Sequence, residues 1–388
     1  MPEPRPARFR PLTLLSVGHA CVDVYQGAVA ALVPFFVAER AYSYAAASGV
    51  VLAASLLSSV VQPLFGVLTD RRPLPWLLPA GTLAAGAGVA LAGVFGSYAV
   101  TLAVVALSGV GVAAYHPEAA RVARRASAGS HTAMGWFSLG GNLGFAAAPP
   151  LVAAVAAAGG LRASPLLVLP AVAGAALCAA ALRGLRTYAP RDPAAGAAGA
   201  GGGRDDWGSF VRLSGAVVCR SVVFVGLSAF VPLYVPGRTA GGAAAGTAAL
   251  FVLYLGGAVG TVAGGRLAAR FGRLPVVRWS YALTGPAVAG VVFVPGPALY
   301  VCVALTSAGL YVPFSLHLTL GQDYLPRHVG TAGGVTLGLA VSAGGLAGPL
   351  VGALADATSL TVALAPLIAL PAVGLALLGP LREPGAAP

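Results

Sequence analysis

Ionisable residues are scarce in this chain: 9% of its 388 residues are charged and 58% are hydrophobic. The few that stand inside long apolar runs are therefore where chemistry has to be sought. Asp23 lies about 16 Å into one such run and Arg220 about 12 Å into another at helical rise, near the middle of a hydrocarbon layer about 30 Å thick. A charge at that depth costs about 2.5–3.5 kcal/mol even on a lenient scale, so each needs a partner or a purpose. An aspartate there can take up and release a proton, and an arginine can hold an anion; an ion pair that only holds the fold together is the plainer reading. His19 and Gln26, four residues before Asp23 and three after it, share its helical face. His19 can tune or relay the proton, or simply donate to the carbonyl of a neighbouring helix.

A second group ends the fourth apolar run, where His116, Pro117 and Glu118 are followed by Arg121. Pro117 lacks a backbone donor and frees the carbonyl of Ala113, while Glu118 and Arg121, three apart, can pair. Counted from the start of the run, this group reaches the cytoplasmic boundary, as an inner gate, a proton port or a solvated helix end. Tyr115 offers a hydroxyl to a cavity wall. Asn142, among Gly140, Gly141 and Gly144, is an amide that must find partners inside a bundle, on a helix or on a substrate. After the tenth run, Asp323 and Arg327 form a candidate counterpart gate.

The elements that must position these groups are helices of about 20 residues, each long enough to cross a bilayer. Twelve runs qualify: 12–37, 44–68, 76–95, 98–120, 132–158 and 164–182, then 212–235, 244–268, 274–294, 298–320, 330–353 and 359–379. The expected fold is thus an all-α membrane protein in two six-helix bundles, residues 1–183 and 209–388, joined by a flexible cytoplasmic linker, 184–208, rich in Ala, Gly and Pro. All 23 basic residues are arginines. With the N-terminus inside, only Arg40, Arg162 and Arg238 face out, which predicts an inner-membrane protein with both termini cytoplasmic. Clusters of arginine between apolar runs mark orientation in a lipid bilayer rather than nucleic-acid binding. The four cysteines lie singly inside apolar runs, so neither a disulfide nor a metal site is expected. The first run, carrying His19 and Asp23, reads as a retained span and not a cleaved leader. With no lysine, the chain has no phosphate-cradling motif, and neither ATP drive nor another cofactor is expected.

Two stretches recur about 200 residues apart, which argues for a duplicated six-helix unit. Gly66-Val67-Leu68-Thr69-Asp70-Arg71-Arg72 returns as Gly265-Arg266-Leu267-Ala268-Ala269-Arg270, and Gly144 with Ala148-Pro149 returns as Gly344 with Gly348-Pro349. Gly66 would let two helices approach closely, with Asp70 and Arg71 bonding to exposed helix ends as a conformational latch.

The Gly-Asp-Arg loop, its degenerate second copy and the six-plus-six layout resemble the major facilitator superfamily over essentially the whole chain. Within it, His116-Pro117-Glu118-Ala119-Ala120-Arg121, Gly140-Gly141-Asn142-Leu143-Gly144, Gln62-Pro63-Leu64, Pro73-Leu74-Pro75-Trp76 and Gln322-Asp323-Tyr324-Leu325-Pro326-Arg327 resemble the fosmidomycin resistance protein family of efflux transporters. That resemblance implies proton-driven export of a small compound, a phosphonate among the candidates, by a monomer powered by the proton gradient. It also implies that the first and seventh spans line a central path, where Asp23 and Arg220 would face one another. Protonation of Asp23 would then release Arg220 to hold an anionic substrate. Two departures stand out: Ala269 replaces the aspartate usual in the second loop copy, and Leu107 stands where many drug exporters keep an arginine before Gly111. Coupling must then use other groups. Import of organic anions, and a membrane sensor that moves nothing, are the competing readings. No nucleophile, base and orienting residue cluster at one depth, so an enzyme is not expected.

Overall fold

Long apolar sequences leave the backbone no water to bond to, and in lipid only a helix satisfies its own amides. The computed structural model of the protein follows that rule. It describes residues 9–127, 131–186, 204–333, 335–336 and 340–384. The described residues divide into two compact units, 1–40 with 53–193, and 41–52 with 194–388.

The first unit is built from α1 (Phe9–Arg40), most of α2 (Tyr44–Arg71), α3 (Leu77–Leu91), α4 (Tyr98–Ala126), α5 (His131–Gly159), a 3-10 stretch (Gly160–Val168) and α6 (Leu169–Arg186). Its core pairs α1 with α5 and α6, and α3 with α4. Small residues permit this. A Cβ added at Gly140 would run into the Ser16 carbonyl of α1, and one at Gly144 into that of Ala20. The ends of α1 are tied down by Arg40, whose Nη2 donates to the Gly93 carbonyl at 2.8 Å, and by Glu39, which accepts from the Leu161 amide at 3.0 Å. Gly66 makes no close approach: a Cβ there would meet nothing within 4 Å among the described residues. Arg71 is exposed, and the side chain of Asp70 lies outside the described residues.

The second unit comprises α7 (Trp207–Tyr234), α8 (Gly242–Phe271), α9 (Arg273–Phe293), α10 (Ala298–Tyr311), α11 (Phe314–Tyr324), α12 (Val329–Gly333), α13 (Ala340–Ala357), α14 (Leu360–Leu364) and α15 (Leu370–Leu378). The expected tenth span is broken between α10 and α11, where Pro313 has no amide to donate. The twelfth is broken by a 3-10 stretch at Ala365–Ile368, with Pro366 at its start and Pro371 following. Of the expected eleventh span, α12 and α13 are described, and residues 334 and 337–339 between them lie outside the described residues. Asp356, near the end of α13, accepts from the amides of Tyr44 and Ala45 at 2.7 and 3.0 Å and so caps the start of α2.

Most of the expected linker, residues 187–203, lies outside the described residues. Its end is anchored rather than loose. Asp206 caps α7 by accepting from the Ser209 amide at 3.0 Å, and its own amide donates to the Tyr324 carbonyl at 2.8 Å. Asp205 accepts from the Arg327 amide at 3.0 Å and from His328 Nδ1 at 2.7 Å. A helix start exposes unpaired amides, and two adjacent carboxylates satisfy donors from both sides of this junction.

Candidate functional site

In the first unit, one turn of α1 presents His19 and Asp23 to α4, and both are buried. Asp23 is held by three side chains. His19 Nε2 lies 3.2 Å from Oδ2, His116 Nε2 3.1 Å from Oδ1, and Gln26 Nε2 donates to Oδ1 at 2.8 Å. His116 and Asp23, which counting along the sequence puts at different depths, stand level with one another. Both helices are longer than the hydrocarbon layer: α1 has 32 residues and α4 has 29. Counting from the start of each run therefore misjudges depth. Counted from Arg40 on α1 and from Tyr98 on α4, Asp23 and His116 stand at nearly the same level, about 26 Å along at helical rise.

The other nitrogen of each imidazole decides what the cluster can do. His19 Nδ1 lies 2.9 Å from the Phe137 carbonyl and His116 Nδ1 2.8 Å from the Val112 carbonyl. A carbonyl only accepts, so each Nδ1 carries the proton, and in a neutral ring each Nε2 turns a lone pair towards Asp23. Lone pairs on nitrogen and carboxylate oxygen repel at this distance unless a proton sits between them. With both imidazoles neutral and Asp23 ionised, neither contact is satisfied; one added proton satisfies one of them, and a second satisfies both. His19 is further fixed by stacking on Phe137, with ring centroids 4.3 Å apart at 16°, and Tyr115 stacks behind it at 5.9 Å. Gly141 of α5 closes the cluster from the third side, since a Cβ there would strike Asp23 Oδ2 and the His19 imidazole. Among the described residues, these three are the group whose ligand atoms, all within 4.8 Å of one another, are spaced to share one cation. With Nδ1 protonated, both Nε2 lone pairs and the carboxylate face a common point where a proton or another cation would satisfy them.

The other residues singled out from the sequence lie elsewhere. Tyr115 is fully buried and backs His19, so its hydroxyl does not line an open wall. Glu118 is 0% exposed, which removes the reading of a solvated helix end; Arg121 pairs with it through Nε at 2.9 Å and through Nη2. Asn142 donates to the Ser138 carbonyl of its own helix at 3.3 Å rather than to a neighbour. Asp323 pairs with Arg273 at 2.6 Å, and Arg273 also reaches Glu383 at 3.2 Å. Spacing in the sequence offers no sign of the Arg273 and Glu383 contacts, because they join segments far apart in the chain.

In the second unit Arg220 is buried on α7. Its Nη1 donates to the Leu310 carbonyl at 3.1 Å, its Cζ sits 5.2 Å above the Phe314 ring, and its Nε has no partner. Among the described residues no carboxylate pairs with it. Beside it is a small cavity lined by Arg220, Tyr281, Thr284, Gly309 and Leu310.

The chain's relatives agree with this architecture. Over 381 residues it is 29% identical to the MFS-type transporter YfnC of Bacillus subtilis (strain 168), covering 94% of this chain and 91% of that one. It is 27% identical to the fosmidomycin resistance protein of Escherichia coli (strain K12), covering 95% and 91%. Its fold matches a bacterial homologue of the human lysosomal transporter Spinster with a TM-score of 0.76 at 16% identity, covering 97% of each chain. The nucleoside transporter NupG matches with a TM-score of 0.73 at 12% identity, over 95% and 98%. The family model described as Major Facilitator Superfamily matches residues 15–349. The chain is therefore a multi-pass membrane transporter of small molecules and not an enzyme, and it belongs to the major facilitator superfamily.

Proposed function

We propose that this transporter exports a small compound across the inner membrane of a bacterium in exchange for protons, and that His19, Asp23 and His116 form its proton-carrying site. One observation carries the reading: both imidazoles spend Nδ1 on a backbone carbonyl and aim Nε2 at one buried carboxylate. Such a cluster is more stable with a proton than without one, and it gives that proton up only when something else changes its surroundings. A site of that kind couples a proton gradient to a conformational cycle, since protonated and deprotonated forms favour different arrangements. The fosmidomycin resistance relative supports export and a small anionic cargo. The arginine distribution supports cytoplasmic termini. No cofactor enters this scheme and one chain suffices for it. The buried Glu118–Arg121 pair and the Arg273–Asp323 pair are the proposed gates at the arginine-rich end.

Inside-out vesicles containing the protein test the proposal. An imposed pH gradient, acid inside, should drive fosmidomycin into the vesicle lumen, and Asp23→Asn should abolish the drive while leaving exchange of labelled for unlabelled compound intact. Movement of the compound in the same direction as the protons would establish import by symport and sink the export reading. Unchanged gradient-driven transport in Asp23→Asn would remove the cluster as the proton site.

A further inference from the structure

The two units share a register that identifies a second site. The interval from His19 to Arg220 equals that from His116 to His317, 201 residues in each case, so the duplicated unit sets a cationic or titratable side chain at the same two places in both halves. At the place of Asp23 the second unit carries Phe224. The acid that holds the basic groups together in the first unit is missing in the second.

The consequences are visible in unmet hydrogen bonds. Arg220 is 7% exposed and its Nε is unpartnered; His317 is 2% exposed and both of its ring nitrogens are unpartnered. The two residues are neighbours. Arg220 lies over Phe314, one turn before His317 on α11, and Tyr281 lines the cavity beside Arg220 while its ring stands 5.8 Å from that of His317. Buried polar groups are ordinarily satisfied, and a buried guanidinium without an acid calls for an anion. Leu310 takes only Nη1, so the Nε edge of the guanidinium is left for a pair of oxygens, the geometry in which arginine grips phosphonate, phosphate or carboxylate.

We infer that Arg220 and His317 form the recognition site for an oxyanionic head group of the cargo. This rests on the transport reading above and narrows it to anions carrying a phosphonate or similar group. Position 224, one turn from Arg220 on the same helix, carries Phe224, so this unit offers Arg220 no carboxylate at the place Asp23 holds in the first.

Binding of methylphosphonate to the purified full-length protein in detergent, measured by calorimetry, tests the inference. Wild type should bind it and should ignore the neutral dimethyl ester. Arg220→Gln and His317→Phe should each weaken binding by about tenfold or more, the loss expected for a charge-assisted contact. Arg220→Lys, which keeps the charge and the fold but not the fork, should fall between wild type and Arg220→Gln. Gly135→Ala, where an added Cβ meets nothing within 4 Å, should bind as wild type does; binding is read without a pH gradient, so lost binding marks failure of the anion site, and retained binding with no gradient-driven transport marks failure of the transport reading. The inference is overturned if methylphosphonate does not bind, if it binds equally to Arg220→Gln and His317→Phe, or if only chloride binds, which would make this a structural halide site.

Discussion

The two halves of this protein place basic side chains at matching positions and use them in opposite ways. In the first half, His19 and His116 converge on Asp23, so the group contains its own counter-charge and varies only in its protons. In the second half, no acid among the described residues pairs with Arg220 or His317, and the residue 201 positions after Asp23 is Phe224. On the proposals made above, a single residue separates a site that neutralises itself from one completed by a ligand. Duplication supplied one frame twice, and a transporter that couples two solutes has a use for two unlike sites.

Moving the acid should break this contrast most severely. Phe224→Asp places a carboxylate one turn from Arg220, on the same helical face. It should lower methylphosphonate affinity by about a hundredfold, because a fixed ion pair replaces the ligand. Calorimetry reads the loss directly, and retained binding would show that position 224 does not face the site. Next in size is the tautomer argument in the first half. His116→Gln removes one proton-accepting nitrogen and should cut gradient-driven transport by about tenfold or more in vesicles, with methylphosphonate binding unchanged. An equal loss of binding and transport would mean that the two sites are not separate.

Gly141 gives a subtler probe. Gly141→Ala pushes a methyl group into Asp23 Oδ2 and the His19 ring, and overpacking of this kind costs about 1–3 kcal/mol. Proton-driven transport should fall, whereas Gly135→Ala, where a Cβ meets nothing within 4 Å, should behave as wild type. The smallest effect is expected at the junction preceding the second half. Asp206→Ala removes the cap on α7 and should cost about 1 kcal/mol, read as a lower unfolding temperature. The Ser209 amide holds the Asp206 carboxyl below the usual carboxylate range. Its contribution is therefore complete above the unfolded value, about 3.9, and is lost as pH falls through the lowered folded one. The difference in unfolding temperature between wild type and Asp206→Ala should accordingly shrink in strong acid.

Much of this was legible beforehand for physical reasons. A chain with apolar runs of helical length has one economical fold in lipid, and charges inside those runs are too costly to be incidental, which is how Asp23, His19 and Arg220 stood out. His317, a single histidine at the end of an apolar run, has no local signature beyond a loose repeat of the polar ending of the fourth run. The equal 201-residue intervals were the available signal, and their meaning emerged only when Arg220 and His317 were seen to share Tyr281.

Composition and spacing by themselves mark the apolar helical runs and the charges that stand inside them, since both follow from the cost of placing a group in hydrocarbon. Partnership was decided by tertiary structure alone. That His116 meets Asp23, that Asp323 meets Arg273 and that each imidazole spends Nδ1 on a carbonyl depend on where long helices cross. A sequence fixes positions along a helix axis, but the level at which two axes meet is set by packing between small residues such as Gly140 and Gly144.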